Sequence, residues 1–373
     1  MHSARPGRRG SQPGAGEEQQ DTGPRRRVPL TGKTGLYPML KPPGMTSHDV
    51  VAALRRMTGE RHVGHAGTLD PAAGGVLLVL VGQSVTRLAE YLMDLPKTYV
   101  AELRFGRTTT TLDWTGDTVE WAPAGAVGAL SRPDVERALP GFTGRIEQVP
   151  PAVSAVHVGG ERSYRLAREG RPPKLEARTV TVYSIDLMDF MPAAATGGRE
   201  VGLPGEALAR VRVRCSRGTY IRALAHDVGR ALGVGAHLGF LVREAVGPFH
   251  VGDSLTLEEA KVASGGGIHG VPLSPARAVS HLPAVRPDRV AVDRLRRGEA
   301  LPYSGGVWGN GAEGSASVTA GLRMVRVLSD SGELVAVAEL AGGRLRPRKV
   351  LCPEVGHGAR DRAGHPQGGD TVD

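Results

Sequence analysis

The sequence predicts a globular protein that mixes β-strands with α-helices, and three stretches carry that prediction. "TYVAELRFG" alternates, with Tyr99, Ala101, Leu103 and Phe105 on one side and Val100, Glu102 and Arg104 on the other, the period-2 signature of a half-buried strand. "ARVRVRCS" alternates arginines with Val211, Val213 and Cys215 in the same way. Directly after it, "IRALAHDVGRALG" changes to helical spacing through Ile221, Leu224, Ala225, Val228 and Leu232. A strand, a tight turn and a helix therefore follow one another around "SRGTY".

The remaining elements follow in chain order. Residues 1–33 hold seven Lys/Arg and three Asp/Glu among Gly, Pro, Ser and Gln, too little apolar surface to fold, and read as a disordered basic tail. Order begins near Leu36. Thr46 and Ser47 are good helix caps, and Val50, Val51, Leu54 and Met57 recur on one helical face behind "LKPPGMTS". "GGVLLVLVG" is apolar on both faces, as a strand buried on both sides must be. The stretches 191–207 and 304–317 are rich in Gly, Ala, Pro and Ser and read as loops. "ASGGGIHG", near 262–270, interrupts the pattern and marks a boundary; beyond it "LRMVRVLSDSGELVAVAEL" is a β-hairpin turning at Asp330-Ser331-Gly332. The basic end of that segment, Arg344, Arg346, Arg348 and Lys349, is either a solvated edge strand or an RNA contact.

Composition narrows the function. At 373 residues the chain is long enough for more than one core. Its 47 basic and 38 acidic side chains leave +9 with histidines neutral, a surplus that suits a polyanion, nucleic acid before membrane. The longest apolar run, Val76 to Val81, is too short for a membrane span, and a soluble cytoplasmic protein is expected. Cys215 and Cys352 stand alone, so neither a disulfide framework nor a cysteine zinc site can be built.

Two constellations carry chemistry. In "GHAGTLDPAAGGVLLVLVG", Asp70 lies between Leu69 and Pro71 at the mouth of the doubly apolar strand. Asp-Pro is ordinary turn punctuation, but a strand buried on both sides brings its starting loop to a site, where a carboxylate serves as nucleophile, base or counter-ion. In "CSRGTYIRALAHD", Tyr220 and Arg222 stand where the arginine-laced strand meets its helix. A cation at a helix start opposes the macrodipole, which is explained if the guanidinium is needed there to fork onto a carboxylate with two parallel hydrogen bonds.

Five stretches, in order, resemble the TruB family of tRNA pseudouridine-55 synthases: "KPPGMTSHDVV", "RHVGHAGTLDP", "KTYVAELRFG", "RIEQVPPAVSA" and "SRGTYIRALAHDVGRALG". The resemblance runs from about Gly35 to Leu257, and Gly270 to Val355 is similar to the PUA-like domain of bacterial members. It implies an α+β fold: a mixed, mainly antiparallel sheet flanked by helices, the pseudouridine synthase fold, with a small β-rich PUA-like C-terminal domain. The chain then divides into the tail 1–33, a catalytic domain 34–265 with an RNA-binding insertion at 149–178, the PUA-like domain 270–355 and a second disordered tail 356–373. Residue by residue, the family's catalytic aspartate falls on Asp70, its active-site tyrosine on Tyr99, the arginine that pairs with the acid on Arg222, and the pocket tyrosine on Tyr220. His65 of "GHAG" matches the histidine that contacts the RNA loop, and Leu241 of "FLVRE" matches a pocket leucine.

That assignment implies isomerisation of uridine 55 in the tRNA T-arm with no metal and no cofactor, by a monomer needing no protein partner. The uracil N1–C1′ bond breaks, the base turns, and C5 joins C1′, without electron exchange or hydrolysis. Positive charge grows at C1′, as in glycoside cleavage, and a carboxylate can attack there or at C6 of the base. The target must be flipped out of its stack, which a loop nucleotide does at least cost. The basic run "GGERSYRLAREGRPPKLEAR", with six Lys/Arg and three Glu, is expected to grip phosphates. Leu40, Thr110 and His157 depart from the family pattern and put RNA affinity in question more than the reaction. Two other classes remain, a synthase working inside a guide-RNA particle and a non-catalytic tRNA-binding module; Asp70, Tyr99 and Arg222 together disfavour the second.

Overall fold

The computed structural model describes residues 34–351, apart from 155–156, 159–160, 163–165, 167–168, 170, 172, 174, 196–204, 265–271, 309–314 and 317–322. Both expected tails, Cys352 and half of the basic run 159–178 lie outside the described residues.

The first half is built around a sheet of nine strands among the described residues. Its long members are β1 (Gly35–Lys41), β2 (Val63–Ala66), β3 (Gly74–Val81), β4 (Lys97–Phe105), β5 (Gly144–Gln148), β6 (Arg178–Met191), β7 (Ala207–Cys215) and β8 (Ala236–Val246). They lie in the order β1-β3-β8-β4-β7-β6-β5, with β2 beside the far end of β3. Neighbours run antiparallel except β3 and β8, which meet in parallel at Gly74–Val242 and Gly75–Arg243. The architecture is thus a mixed, mainly antiparallel sheet flanked by helices, as expected.

Each long element follows from its sequence. Every residue of β3 is buried, because β1 pairs along one edge, β2 and β8 share the other, and apolar clusters cover both faces. Along β4 burial alternates strictly, with Tyr99, Ala101, Leu103 and Phe105 facing a core shared with Val211 and Val213 of β7. Helix α1 (Ser47–Thr58) opens on a capping box between Thr46 and Asp49 and closes on Gly59 in the left-handed conformation. Helix α2 (Ile221–Ala231) lays Ile221, Leu224, Ala225 and Val228 under β4 and β7.

The C-terminal segment forms a second sheet whose centre is β9 (Arg323–Leu328), β10 (Leu334–Ala341) and β11 (Arg344–Val350). The hairpin β9–β10 turns where expected, with Gly332 at φ +82°. This sheet is not independent of the first: Leu328, Leu334, Val337 and Leu351 share one apolar cluster with Leu36, Leu78 and Leu80. Polar ties add to it, from the Arg87 guanidinium to the Val350 carbonyl (3.0 Å) and from Lys349 to Glu90 (3.0 Å). Three of the four basic residues of β11 are therefore engaged within the protein, Lys349 as above, Arg348 on Glu339 and Arg344 on the Ala300 carbonyl (3.2 Å). β11 is close to a free edge, flanked outside by the two residues Leu301–Pro302 alone.

The expected loop 191–207 holds a 3-10 turn at Ala193–Ala195. The expected loop 304–317 contains two two-residue strands, Val307–Trp308 and Ser315–Ala316, too short for any periodic signal to reveal. No helix among the described residues is long and apolar enough to cross a membrane.

Candidate active site

Asp70 sits on the loop between β2 and β3, and three buried side chains fix that loop. Ser47, at the start of α1, brackets the backbone of Leu69: its hydroxyl donates to the carbonyl (3.2 Å) and accepts from the N–H (3.0 Å). Lys41, fully buried at the end of β1, donates to the carbonyls of Pro42 and Pro71 at 3.0 and 3.3 Å, and burial lowers its ammonium to about 8. Arg243 of β8, 1% exposed, donates to the carbonyls of Val76 (2.7 Å), Gly67 (2.9 Å) and Thr68 (3.3 Å). A turn from the Ala73 N–H to the Asp70 carbonyl (3.0 Å) closes the loop. Gly75, at φ +108°, lets this loop reach β8: a Cβ there would lie 2.2 Å from the Arg243 carbonyl oxygen.

The side chain of Asp70 is left 42% exposed and faces Arg222, whose Nε lies 2.9 Å from Oδ2. Arg222, the second residue of α2, is 5% exposed. The two parallel hydrogen bonds expected between guanidinium and carboxylate are not made. The terminal nitrogens are engaged elsewhere, Nη1 on the Thr111 carbonyl and Nη2 on the Val153 carbonyl, each at 2.9 Å. Nη1 also lies 3.7 Å from the carboxylate of Asp113. The guanidinium is thus a buried anchor, hydrogen-bonded to two carbonyls and paired by charge with Asp70.

Asp70, Tyr99, Tyr220, Arg222, Leu241 and Arg243 all line one cavity of about 360 Å³, within the range of small-ligand clefts, roughly 300–1,000 Å³. Tyr99 lies on the buried face of β4, and burial pushes its phenol above the ordinary value while the Arg243 charge pulls the other way. Tyr220 caps α2, its backbone held on both sides by the amide of Gln148, which donates to the carbonyl (3.0 Å) and accepts from the N–H (2.7 Å). Five of the six residues singled out by sequence therefore meet in one cleft. His65 does not line it; it stands on β2, edge-on to the ring of His48 at 5.6 Å, and burial lowers its imidazole to about 4.

Sequence reading missed Arg243, Asp113 and Gln148. Asp113 is held in place by Thr111 (2.7 Å) and by the N–H of Thr115 (3.0 Å), which fixes it beside Arg222. It stands in a Thr-rich turn, and nothing in local spacing links it to an arginine on a distant helix. Gln148 lies in "RIEQVPP", where the quoted motif was its one available signal. Arg243 interrupts an apolar strand pattern, a break that marks a buried cation without saying what it holds.

A buried arginine fixing one exposed carboxylate beside two tyrosines, with a mainly antiparallel sheet behind them, defines a class of base-modifying enzyme, and comparison with known proteins names it. Residues 55–221 match the model of the TruB family pseudouridylate synthase N-terminal domain, and 222–265 match the tRNA pseudouridylate synthase B C-terminal domain. The tRNA pseudouridine synthase B of Symbiobacterium thermophilum is 48% identical over 266 residues, 71% of this chain and 82% of that protein. Its namesake from Moorella thermoacetica is 40% identical over 322 residues, 85% and 99% of the two chains. Among solved structures, an H/ACA RNP bound to a substrate RNA containing 2′-deoxyuridine matches with TM-score 0.60 and 26% identity over 86% of both chains. A Cbf5-Nop10-Gar1 complex matches with TM-score 0.60 and 27% identity over 90% of this chain and 92% of that one. The chain belongs to the TruB family of pseudouridylate synthases and is an isomerase with the pseudouridine synthase fold.

Proposed function

We propose that this enzyme converts uridine 55 in the T-loop of tRNA to pseudouridine, with Asp70 as the nucleophile on a flipped-out nucleotide. The observation that carries this reading is the exposed carboxylate of Asp70 held by buried Arg222 at the rim of the tyrosine-lined cavity. The base enters the cavity and stacks on Tyr99, with Tyr220 and Leu241 holding the ring once the glycosidic bond has broken. Asp70 stabilises or bonds the centre made electron-poor in that step, C1′ or C6, and its ion pair with Arg222 through Oδ2 leaves the second oxygen for the substrate. Tyr99, which lines the same cavity, is assigned to help remove the C5 proton after the base has turned. His65, outside the cavity, is placed to contact the RNA loop from which the uridine is withdrawn.

The substrate assignment draws on the curated relatives, which are named for tRNA. We assign phosphate gripping to the insertion 149–178 and RNA contact to the C-terminal segment 270–355, and expect the chain to act as a monomer without a protein partner in the cytoplasm. The solved neighbours are an H/ACA RNP bound to a substrate RNA and a Cbf5-Nop10-Gar1 complex, and the alternative that this chain works inside a guide-RNA particle has a simple discriminator. Purified protein alone is given a T-arm transcript tritiated at uridine C5. The wild-type chain should release tritium and Asp70→Asn should release none while still binding the transcript. Undiminished release by Asp70→Asn would defeat the assignment of the nucleophile, and no release by the wild-type chain would defeat that of the substrate.

A further inference from the structure

Asp70 lies on the seam between two depressions. On one side is the cavity already described; on the other is a shallow groove lined by Asp70, Asp113, Trp114, Leu238, Phe240 and Leu241. Two large rings are exposed in it, Trp114 at 55% and Phe240 at 46%. Aromatic residues make up 4% of the chain, so two uncovered rings within one groove beside the acid call for an explanation. The other two exposed aromatics are both covered by a cation: Trp121 lies under Arg107 (5.7 Å) and Tyr183 under Arg214 (5.0 Å). Among the described residues, Trp114 and Phe240 have no such cover.

Backbone irregularities aim both rings. Leu112 is the one non-glycine residue with positive φ among the described residues, at +61°, a conformation an aliphatic side chain rarely adopts. The strained turn delivers Asp113 toward Arg222 and Trp114 into the groove. It is stitched to β8 by the Leu238 N–H on the Leu112 carbonyl (3.0 Å) and the Trp114 N–H on the Leu238 carbonyl (2.9 Å). β8 itself shifts register between Leu238 and Phe240, at Gly239, and such bulges re-aim side chains next to active sites.

We propose that Trp114 and Phe240 form a stacking platform for the nucleotide next to the target uridine in the same RNA strand. This rests on the function proposed above. With the target base in the cavity and its sugar at Asp70, the strand must leave past Leu241 and Asp70, which with buried Arg222 are the residues shared by the cavity and the groove. An unstacked neighbour needs a flat apolar surface to replace its lost stacking, and every base has a face that an aromatic ring accepts.

The test uses the full chain in an Asp70→Asn background, which binds without turnover, and a T-arm hairpin. Trp114→Ala and Phe240→Ala should each raise the Kd about 10- to 100-fold, the range of one lost base–aromatic stack. Trp114→Phe should stay within a few-fold of the parent, which separates ring loss from damage to the turn. An abasic sugar placed 5′ or 3′ of the target should abolish the effect of Trp114→Ala at one of the two positions. A Kd within twofold of the parent for both alanine variants, or a Trp114→Ala penalty undiminished at both abasic positions, would overturn the platform. The chain with Asp70 intact is run alongside for tritium release. Normal release with unchanged Kd sinks the platform alone, whereas no release takes down the substrate reading and the platform with it.

Discussion

Asp70 and Arg222 form one ion pair, yet the structure predicts opposite consequences for removing its two ends. Asp70 is 42% exposed and makes one ion pair, whereas Arg222 is 5% exposed and serves Asp70, two carbonyls and, more distantly, Asp113. In Asp70→Asn the ion pair is lost, but the side chain is 42% exposed and water covers its polar atoms. The stability change should fall within about 1 kcal/mol, as for exposed pairs, while turnover is abolished. In Arg222→Met the carbonyls of Thr111 and Val153 lose their donors where little water can replace them, at about 1–3 kcal/mol each. Asp113 loses a nearby counter-charge as well. A total near 4 kcal/mol lowers the melting temperature by roughly 10 °C for a domain of this size. Arg222→Lys keeps the charge but not the three-way reach, and should recover no more than about half of that. Urea unfolding at fixed pH and tritium release from the same preparations read the two effects separately. Arg222→Met unfolding within about 1 kcal/mol of wild type would refute the anchoring role, and Asp70→Asn losing several kcal/mol would show the acid to be a structural group.

Three further expectations follow from other parts of the fold. Gly75→Ala puts a Cβ 2.2 Å from the Arg243 carbonyl oxygen and 2.6 Å from its nitrogen, so β3 and β8 must part; it should cost at least about 3 kcal/mol in urea unfolding. Gly44→Ala, with positive φ but nothing within 4 Å, should cost about 1 kcal/mol. Burial, aided by the Arg107 charge, lowers fully buried His237 to about 4. Between that value and its ordinary 6.5 the unfolded chain binds the proton and the folded chain does not, so stability falls as the pH drops through this window, by about 3 kcal/mol from this residue. Denaturation series at pH 7 and pH 4 should show a smaller acid loss in His237→Asn, and an unchanged difference would contradict a neutral buried imidazole.

What could be read from one dimension was whatever depends on neighbours in sequence. The alternation along β4 and β7, the doubly apolar β3 and the capped start of α1 each state their own burial, because a strand or helix face is fixed by residues two to four positions apart. Asp70 and Arg222 were legible as partners through motifs and through an arginine set against the helix dipole. The form of their contact was not. The expected fork fails because Thr111 and Val153, from two separate loops, compete for the same guanidinium, and no local pattern records that competition. Arg243 was hidden for the same reason: its three acceptors are carbonyls, and a carbonyl carries no residue identity to read.

The same distinction explains why the site takes this form. An acid that must meet a bulky RNA cannot itself be buried, so its rigidity has to come from groups behind it. Lys41, Ser47 and Arg243 hold the backbone around Asp70 through main-chain atoms, and Arg222 pairs with the side chain by charge. The three backbone holders are two buried cations and a buried hydroxyl; the second acid nearby, Asp113, is tied to Thr111 and the Thr115 N–H, which leaves the Asp70 carboxylate as the one open to solvent. On the function proposed above, the site has three things to supply: one oriented carboxylate, a cavity for the detached base, and a surface that keeps the rest of the RNA in register.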